Sequence, residues 1–499
     1  MLATANKDSK YFLQENDDRR NLFGLSANEC VLYVVNGKET NDFTLSFIEH
    51  LNLEGTLFEI KPIQLDELRS HYEKNSTAGN NNDSDKRDSI NQKKIIELIK
   101  KAVLLQSSDI HIIKMEGIAL IKFRVNGDLF VHDKDTPENA QDMFGSIYRT
   151  MCDVAETDLK EHEKQDGRLA KKFVKQCGLR GARVSTTPTD EGKLLVIRLL
   201  IDRSKANITL SQLGYSEEHI NDLIKLHKSK SGIIVLSGIT GSGKSTTLDC
   251  LLSMIIKDTA GSKHVFTIEH PPETSAEGVI RTPILPESDS ELDVSRAWTR
   301  GISSAMRLDP DVMGIGEVRD SASAKAAFRA AMTGHLVITT VHANDSIAIL
   351  DRLDDEGVQS SILCNHKLVI GLINQSLAKI LCTACKIPFI GNESSVPEDV
   401  LARIYNTEAL NLKSIFLRGT GCEHCNNTGI IGRTVIAEVL LPSKDFMKEF
   451  KDGGYVSARS YWLEKMNAKT KYDHLISKIN DGIIDPVLAE RDVCLLDDE

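Results

Sequence analysis

The chain has 499 residues, 41% of them hydrophobic and 27% charged, with a formal net charge of −11. These values are ordinary for a globular protein and leave room for about three domains at ~150 residues each. They speak against a nucleic-acid binder, although a local basic patch is compatible with them. No run approaches the ~18 apolar residues needed to cross a bilayer, and the amino terminus carries no apolar signal core. A cytoplasmic protein is the expectation, so the ten cysteines should be thiols or metal ligands, not disulfides.

Residues 1–75 read as a small α/β module, with a strand over 31–35 and an amphipathic stretch over 45–51, and without a chemical motif. Residues 76–88 are polar and poor in apolar side chains, which predicts a flexible linker. A mixed α/β domain follows over 89–205. It begins with a helix over 93–105, then strands over 107–112 and 118–125. Asn126-Gly127 is a hairpin turn signal, and a second strand pair is predicted over 181–185 and 193–199. Arg124, Arg168, Arg183 and Arg198 punctuate these strands, and each by itself reads as a solvated strand arginine.

The third domain, 206–499, opens with Gly238-Ile-Thr-Gly-Ser-Gly-Lys-Ser245, which fits G-x-x-x-x-G-K-[ST]. A short apolar strand (232–237) precedes it and a helical pattern (246–256) follows. In that context, glycines let backbone N–H groups close around phosphates at a helix amino terminus. Gly238, Ile239, Thr240, Gly241, Ser242, Gly243, Lys244, Ser245 and Thr246 are the predicted nucleotide-binding residues. Lys244 is expected on the terminal phosphates of ATP and the Ser245 hydroxyl on Mg²⁺. Further strands over 264–268, 312–316 and 336–340 alternate with helical segments, which predicts a mostly parallel sheet. Ligands of such sheets sit at the carboxyl ends of the strands. Glu269 and Glu273 follow one strand and Glu317 another, while His335 and His342 bracket the last. Glu317 is placed to orient a water for attack on the γ-phosphorus, directly or through the metal.

Cys382-Thr-Ala-Cys385 and Cys422-Glu-His-Cys425 are two C-x-x-C pairs. Four thiolates satisfy tetrahedral Zn²⁺, and a closed Cys₄ site is structural, not catalytic. The interval is wider than in the commonest ribbons, which predicts a zinc subdomain over about 380–430. A redox pair, or cysteines that merely pack, are the competing readings.

Beyond these separate motifs, the sequence resembles the hexameric ATPases of type II secretion and type IV pilus assembly. The carriers in the second domain are Ser108-Asp-Ile-His-Ile112, Phe123-Arg-Val-Asn-Gly127, Asp166-Gly-Arg168 and Arg183-Val-Ser185. In the third they are the phosphate loop, Thr267-Ile-Glu-His-Pro-Pro-Glu273, the run from Arg307 to Asp320, the run from Thr333 to Asp345, and the cysteine pairs. The resemblance covers about residues 90–440. It implies a RecA-like motor behind a PAS-like middle domain, with Glu269 and Glu273 in an acidic box and Glu317 in the catalytic position. His335 and His342 fall in a histidine box, and Arg168 and Arg183 are singled out, ahead of Arg124, to reach bound nucleotide. It further implies a six-membered ring at the inner membrane, linked to a polytopic platform protein, with ATP turnover moving pilin-like subunits. The cysteine pairs and the separate first module favour pilus assembly over retraction. Type II secretion is the alternative, and a non-catalytic nucleotide-binding scaffold is the rival from another class. Three departures suggest a divergent branch, such as type IVb pili: His270 replaces an aspartate, Ser303 an arginine, and Gln375-Ser-Leu with Lys379 the arginines before the first cysteine.

Overall fold

The computed structural model of the chain describes residues 2–5, 9–13, 17–26, 29–76, 82–153, 159–201, 208–270, 272, 276–288 and 290–497. It divides into two units, Met1–Leu98 with Thr136–Glu163, and Ile99–Asp135 with Lys164–Glu499.

The first unit holds a three-stranded sheet of β1 (Phe23–Ser26), β2 (Val31–Val35) and β3 (Glu59–Ile63). Helix Asp42–Leu53 makes the crossover between the parallel pair β2 and β3, its amino end capped by Asn41. Phe23, Leu25, Leu32, Val34 and Leu51 form its core. A helix, Asn82–Leu104, begins inside the stretch expected to be a linker.

In the second unit, six strands form an antiparallel sheet: β4 (Asp109–Lys114), β5 (Ala119–Val125), β6 (Asp128–Asp135), β7 (Gln165–Arg168), β8 (Leu179–Thr189) and β9 (Gly192–Ile201). Their order is β6-β5-β4-β9-β8-β7. Alternation of buried and more exposed positions along β5, β8 and β9 is the pattern of a sheet with one covered face. The β5–β6 turn is the expected one: Asn126 and Gly127 both take positive φ, 51° and 94°, as a two-residue type I′ hairpin requires.

The same unit contains a seven-stranded sheet. Its strands are β10 (Gly232–Ser237), β11 (Val265–Glu269), β12 (Val279–Pro283), β13 (Val312–Ile315), β14 (Leu336–Thr340) and β15 (Val369–Leu381), then, after two short paired strands β16 (Ile387–Pro388) and β17 (Phe416–Leu417), β18 (Ile430–Leu440). The order is β12-β11-β13-β14-β10-β15-β18, parallel except for β15 with β18. Every residue of β10 is buried. Ile233 and Val235 enter one core with Trp298, Ile302 and Leu350, whereas Ile234 and Leu236 enter the other with Leu223, Leu248 and Leu251. Helices therefore cover both faces, which is why the central strand reads as a continuous apolar run. A third core joins Ala378 of β15 and Ile436 of β18 to Phe389, Ile404, Leu417, Leu475 and Ile479, and the cysteine subdomain grows from this hairpin. This is the α/β architecture that the sequence predicts. Among the described residues no helix is long and apolar enough to cross a membrane.

Candidate nucleotide site and metal centre

The phosphate loop leaves the carboxyl end of β10 and closes at Gly243, the cap of helix Lys244–Asp258. Gly238, Gly241 and Gly243 have φ of 142°, 81° and 86°, values that side chains disfavour. Gly238 is also excluded from bearing a side chain by space, because a Cβ there would lie 2.2 Å from the Gln375 carbonyl oxygen. Lys244 Nζ donates to the carbonyls of Gly238 at 2.7 Å and Ile239 at 3.2 Å. Burial lowers its pKa below the usual lysine range, and the charge of Glu317 pulls it back up. Ile239, Thr240, Gly241 and Ser245 are exposed, Gly243, Lys244 and Thr246 half-buried, and Ser242 buried. This is an open cradle of backbone groups with one ammonium, and it suits a polyphosphate.

Two strand ends bring carboxylates alongside. Glu317 follows β13 and is engaged from both sides: His342 Nε2 lies 3.1 Å from Oε1, and Arg319 Nε donates to Oε2 at 2.8 Å. Its loop is fixed by Thr340, whose hydroxyl donates to the Gly316 carbonyl at 2.7 Å, and by the Val318 amide on the Thr340 carbonyl. Glu269 ends β11, and its Oε1 accepts from the Thr267 hydroxyl at 2.7 Å and from Arg281. Glu273 lies outside the described residues. His335 does not join them. It precedes the first residue of β14, where its carbonyl accepts the amide of Gly232 at the start of β10. The five residues of β14 put ~17 Å between that end and the phosphate loop. Within one chain, His342 therefore lies beside Glu317 and His335 at the opposite end of the strand.

The middle sheet assembles its arginines by register. Arg168 pairs with Arg183, Arg183 with Arg198, Arg198 with Asp109 and Asp109 with Arg124. Directly opposed residues share a face with Cβ atoms ~4.5–5.5 Å apart, so four guanidinium groups and one carboxylate stand in a single row. Arg198 Nε donates to Asp109 Oδ1 at 2.9 Å, and Arg124 Nε is 3.9 Å from Oδ2.

The four cysteines meet, with their sulfurs all within 4.8 Å of one another. Cys382–Cys422, Cys385–Cys425 and Cys422–Cys425 are 3.7, 3.8 and 3.7 Å apart. Tetrahedral Zn–S bonds of ~2.3 Å imply sulfur–sulfur edges of ~3.8 Å, so the donor set fits Zn²⁺. Burial opposes ionisation of Cys425, but the N–H groups of Cys422 and Gly429, at 3.2 and 3.1 Å from Sγ, bring its pKa down to about 6. Backbone donors of this kind favour thiolate ligands.

Residues 84–490 match the family described as type II/IV secretion system protein. The chain belongs to that family. Its match extends past the motif-bearing stretch, to the last helix. An Aeromonas hydrophila type II secretion system protein E is 32% identical over 424 residues, covering 79% of this chain and 80% of the relative. The Dickeya dadantii protein of the same name is 33% identical over 69% of this chain, which spans 64% of that relative's length. A Vibrio cholerae type II secretion system ATPase E is 32% identical over 70% of this chain and 65% of its own. In fold, the chain is similar to the Legionella pneumophila ATPase DotB, with a TM-score of 0.54 and 20% identity over 78% of this chain and 92% of that one. It is also similar to the pilus retraction motor PilT with bound ADP, with a TM-score of 0.51 and 23% identity over 78% of this chain and 94% of that one.

In this family member the sequence reading missed the residues that brace the loop from behind. Gln375 of β15 is fully buried; its Nε2 donates to the Ser242 carbonyl at 2.7 Å and its Oε1 accepts from Tyr215 at 2.7 Å. Tyr215 also lies 3.2 Å from the Thr247 hydroxyl. Gln375 and Ser242 are 133 positions apart, so no local pattern joins them. Lys379, on the same strand and 4% exposed, sits 3.1 Å from both Asp128 and Asp492. The place where the resemblance breaks is thus a buried lysine between two half-buried carboxylates, tying the β5–β6 turn to the motor.

Proposed function

We propose that this chain is a Mg²⁺-dependent ATPase whose turnover drives a secretion machine of the type II kind. Type II secretion now stands ahead of type IV pilus assembly, because the curated relatives carry that name. The observation that carries the activity is the phosphate loop with Glu317 beside it, held between His342 and Arg319. In this reading the loop amides and Lys244 bind the β- and γ-phosphates of ATP, Lys244 exchanging the Gly238 and Ile239 carbonyls for phosphate oxygens. The Ser245 hydroxyl holds Mg²⁺, which supplies neutralisation of the phosphate charge. Glu317 orients the attacking water and takes up its proton, and His342 fixes which carboxylate oxygen faces the water.

The arginine row supports a second element of the reading. Guanidinium groups remain charged and bind phosphate oxygens as a fork, and a row with one carboxylate among four arginines is matched to an anion. Arg168 and Arg183 serve nucleotide across a subunit boundary, which makes activity depend on a ring, expected to be hexameric. The ring works on the cytoplasmic side of the inner membrane, against a platform protein and, through it, pilin-like subunits. The Cys₄ group holds structural zinc, and no nucleic acid is involved. Steady-state phosphate release from ATP by the purified chain tests the activity. A chain that binds ATP without releasing phosphate would be the nucleotide-binding scaffold instead.

A further inference from the structure

The edge strand β12 carries Arg281, a residue that neither the loop motif nor the strand ends select. Its side chain is 7% exposed. In the parallel register of β11 and β12 it stands opposite Thr267. One guanidinium nitrogen donates to Asp249 Oδ1 at 2.6 Å, on the phosphate-loop helix Lys244–Asp258, and the other contacts Glu269 Oε1. The Asp249 and Glu269 side chains are themselves 16% and 14% exposed. Thr267 donates to that same Oε1, so the oxygen is engaged twice. A guanidinium bridging two carboxylates thus engages one oxygen of Glu269. It also ties the end of β11 to the helix whose amino terminus forms the phosphate cradle.

We propose that Arg281 is a positioning residue that clamps Glu269 to the phosphate-loop helix, so that Glu269 holds the loop in register and the water-orienting chemistry falls to Glu317. The proposal rests on the ATPase reading and reassigns one carboxylate within it. Buried charge pairs lose most when one partner is removed, so the clamp is visible in stability as well as in kinetics.

The test uses the full chain with Glu269→Gln, Arg281→Met, Arg281→Lys and the neutral triple variant Arg281→Met/Asp249→Asn/Glu269→Gln. Glu269→Gln keeps the acceptor oxygen, and should keep kcat within about 3-fold and leave the Mg²⁺ concentration for half-maximal rate unchanged, whereas loss of a water-orienting group lowers turnover ~10²-fold. Arg281→Met should raise KM for ATP about 10-fold with a smaller change in kcat, a split that a merely structural residue does not produce. Arg281→Lys keeps the charge without the fork and should fall between. Arg281→Met should also melt roughly 5 °C or more below the parent, and the neutral triple should recover most of that loss. The clamp is overturned by a ~10²-fold fall in kcat for Glu269→Gln with a shifted Mg²⁺ requirement. It is equally overturned by Arg281→Met with unchanged KM and melting, or by a triple that melts as low as, or folds no better than, Arg281→Met. If the parent chain releases no phosphate, the ATPase reading fails by itself, and the clamp is judged on melting of the same variants and on ADP affinity.

Discussion

The two sheets of the larger unit gather charge in opposite ways. In the parallel sheet, one strand buried on both faces delivers eight consecutive residues, Gly238 to Ser245, and local chain geometry builds the site. In the antiparallel sheet, Arg168, Arg183, Arg198 and Arg124 come from four strands and meet only because the registers align them across one exposed face. The first kind of site is written in one continuous segment, while the second is lost by a one-residue slip, which would turn the arginines to the covered face. The parallel sheet also depends on distant support, since the buried Gln375 amide holds the loop from behind.

The largest effect is expected at the arginine row. Arg168→Ala/Arg183→Ala should lower turnover ~10³-fold, as for an arginine that meets developing phosphoryl charge, with ATP binding retained. Mixed with inactive Lys244→Ala chains and allowed to re-form rings, it should regain part of the activity. Mixed rings that stay silent would place the arginines in their own chain or make them structural.

Next comes Glu317→Gln, expected to bind ATP normally and to turn over at least ~10²-fold more slowly. Phosphate release at the parental rate would remove Glu317 from its role. For the loop's rear support, Gln375→Leu removes the side-chain partner of the Ser242 carbonyl, at ~1–3 kcal/mol for a buried group, and leaves the Tyr215 hydroxyl with Thr247 alone. ATP affinity should then fall about 10-fold, with Tyr215→Phe milder, as read by titration calorimetry. Equal affinities for all three proteins would show that the loop sets its own shape.

The cysteine subdomain belongs to neither charged cluster and should respond apart from both. About one zinc per chain is expected from metal analysis, and Cys385→Ser should lower metal content and melting temperature more than ATP affinity. The smallest effect expected is a pH dependence at the buried pair His219 and His474, whose ring centroids are 4.8 Å apart. Burial holds His219 down at about 4, where Asp222 works against Lys478 and Lys469. Burial, then His219 and Lys478, hold His474 at about 3. Both lie below the ~6.5 of an unfolded histidine, so the unfolded chain binds more protons. The stability they confer is full above that value and falls as pH drops from about 6.5 toward 4. His219→Leu should flatten melting temperature between pH 7 and 5; an unchanged slope would assign the acid loss to other groups.

By itself the sequence determined what is local. The phosphate loop, the helix after it, the strands around it, the Asn126-Gly127 turn and the paired cysteines all follow from φ preferences, apolar runs and ligand spacing over a few residues. The same signals placed Glu317 and His342 after their strands, where the fold sets the two side chains 3.1 Å apart, and placed His335 before its strand, at the opposite end. Arg281 carried no signal, and Gln375 and Lys379 stood out only as departures from the family pattern, without a role. An arginine in a short strand, a glutamine in an apolar run and a lysine before a cysteine become meaningful only when register and sheet order bring them to Glu269, Ser242 and Asp128. Tertiary structure decided these because burial removes water as a partner, and a buried polar group must then find its partner wherever the fold has carried the chain.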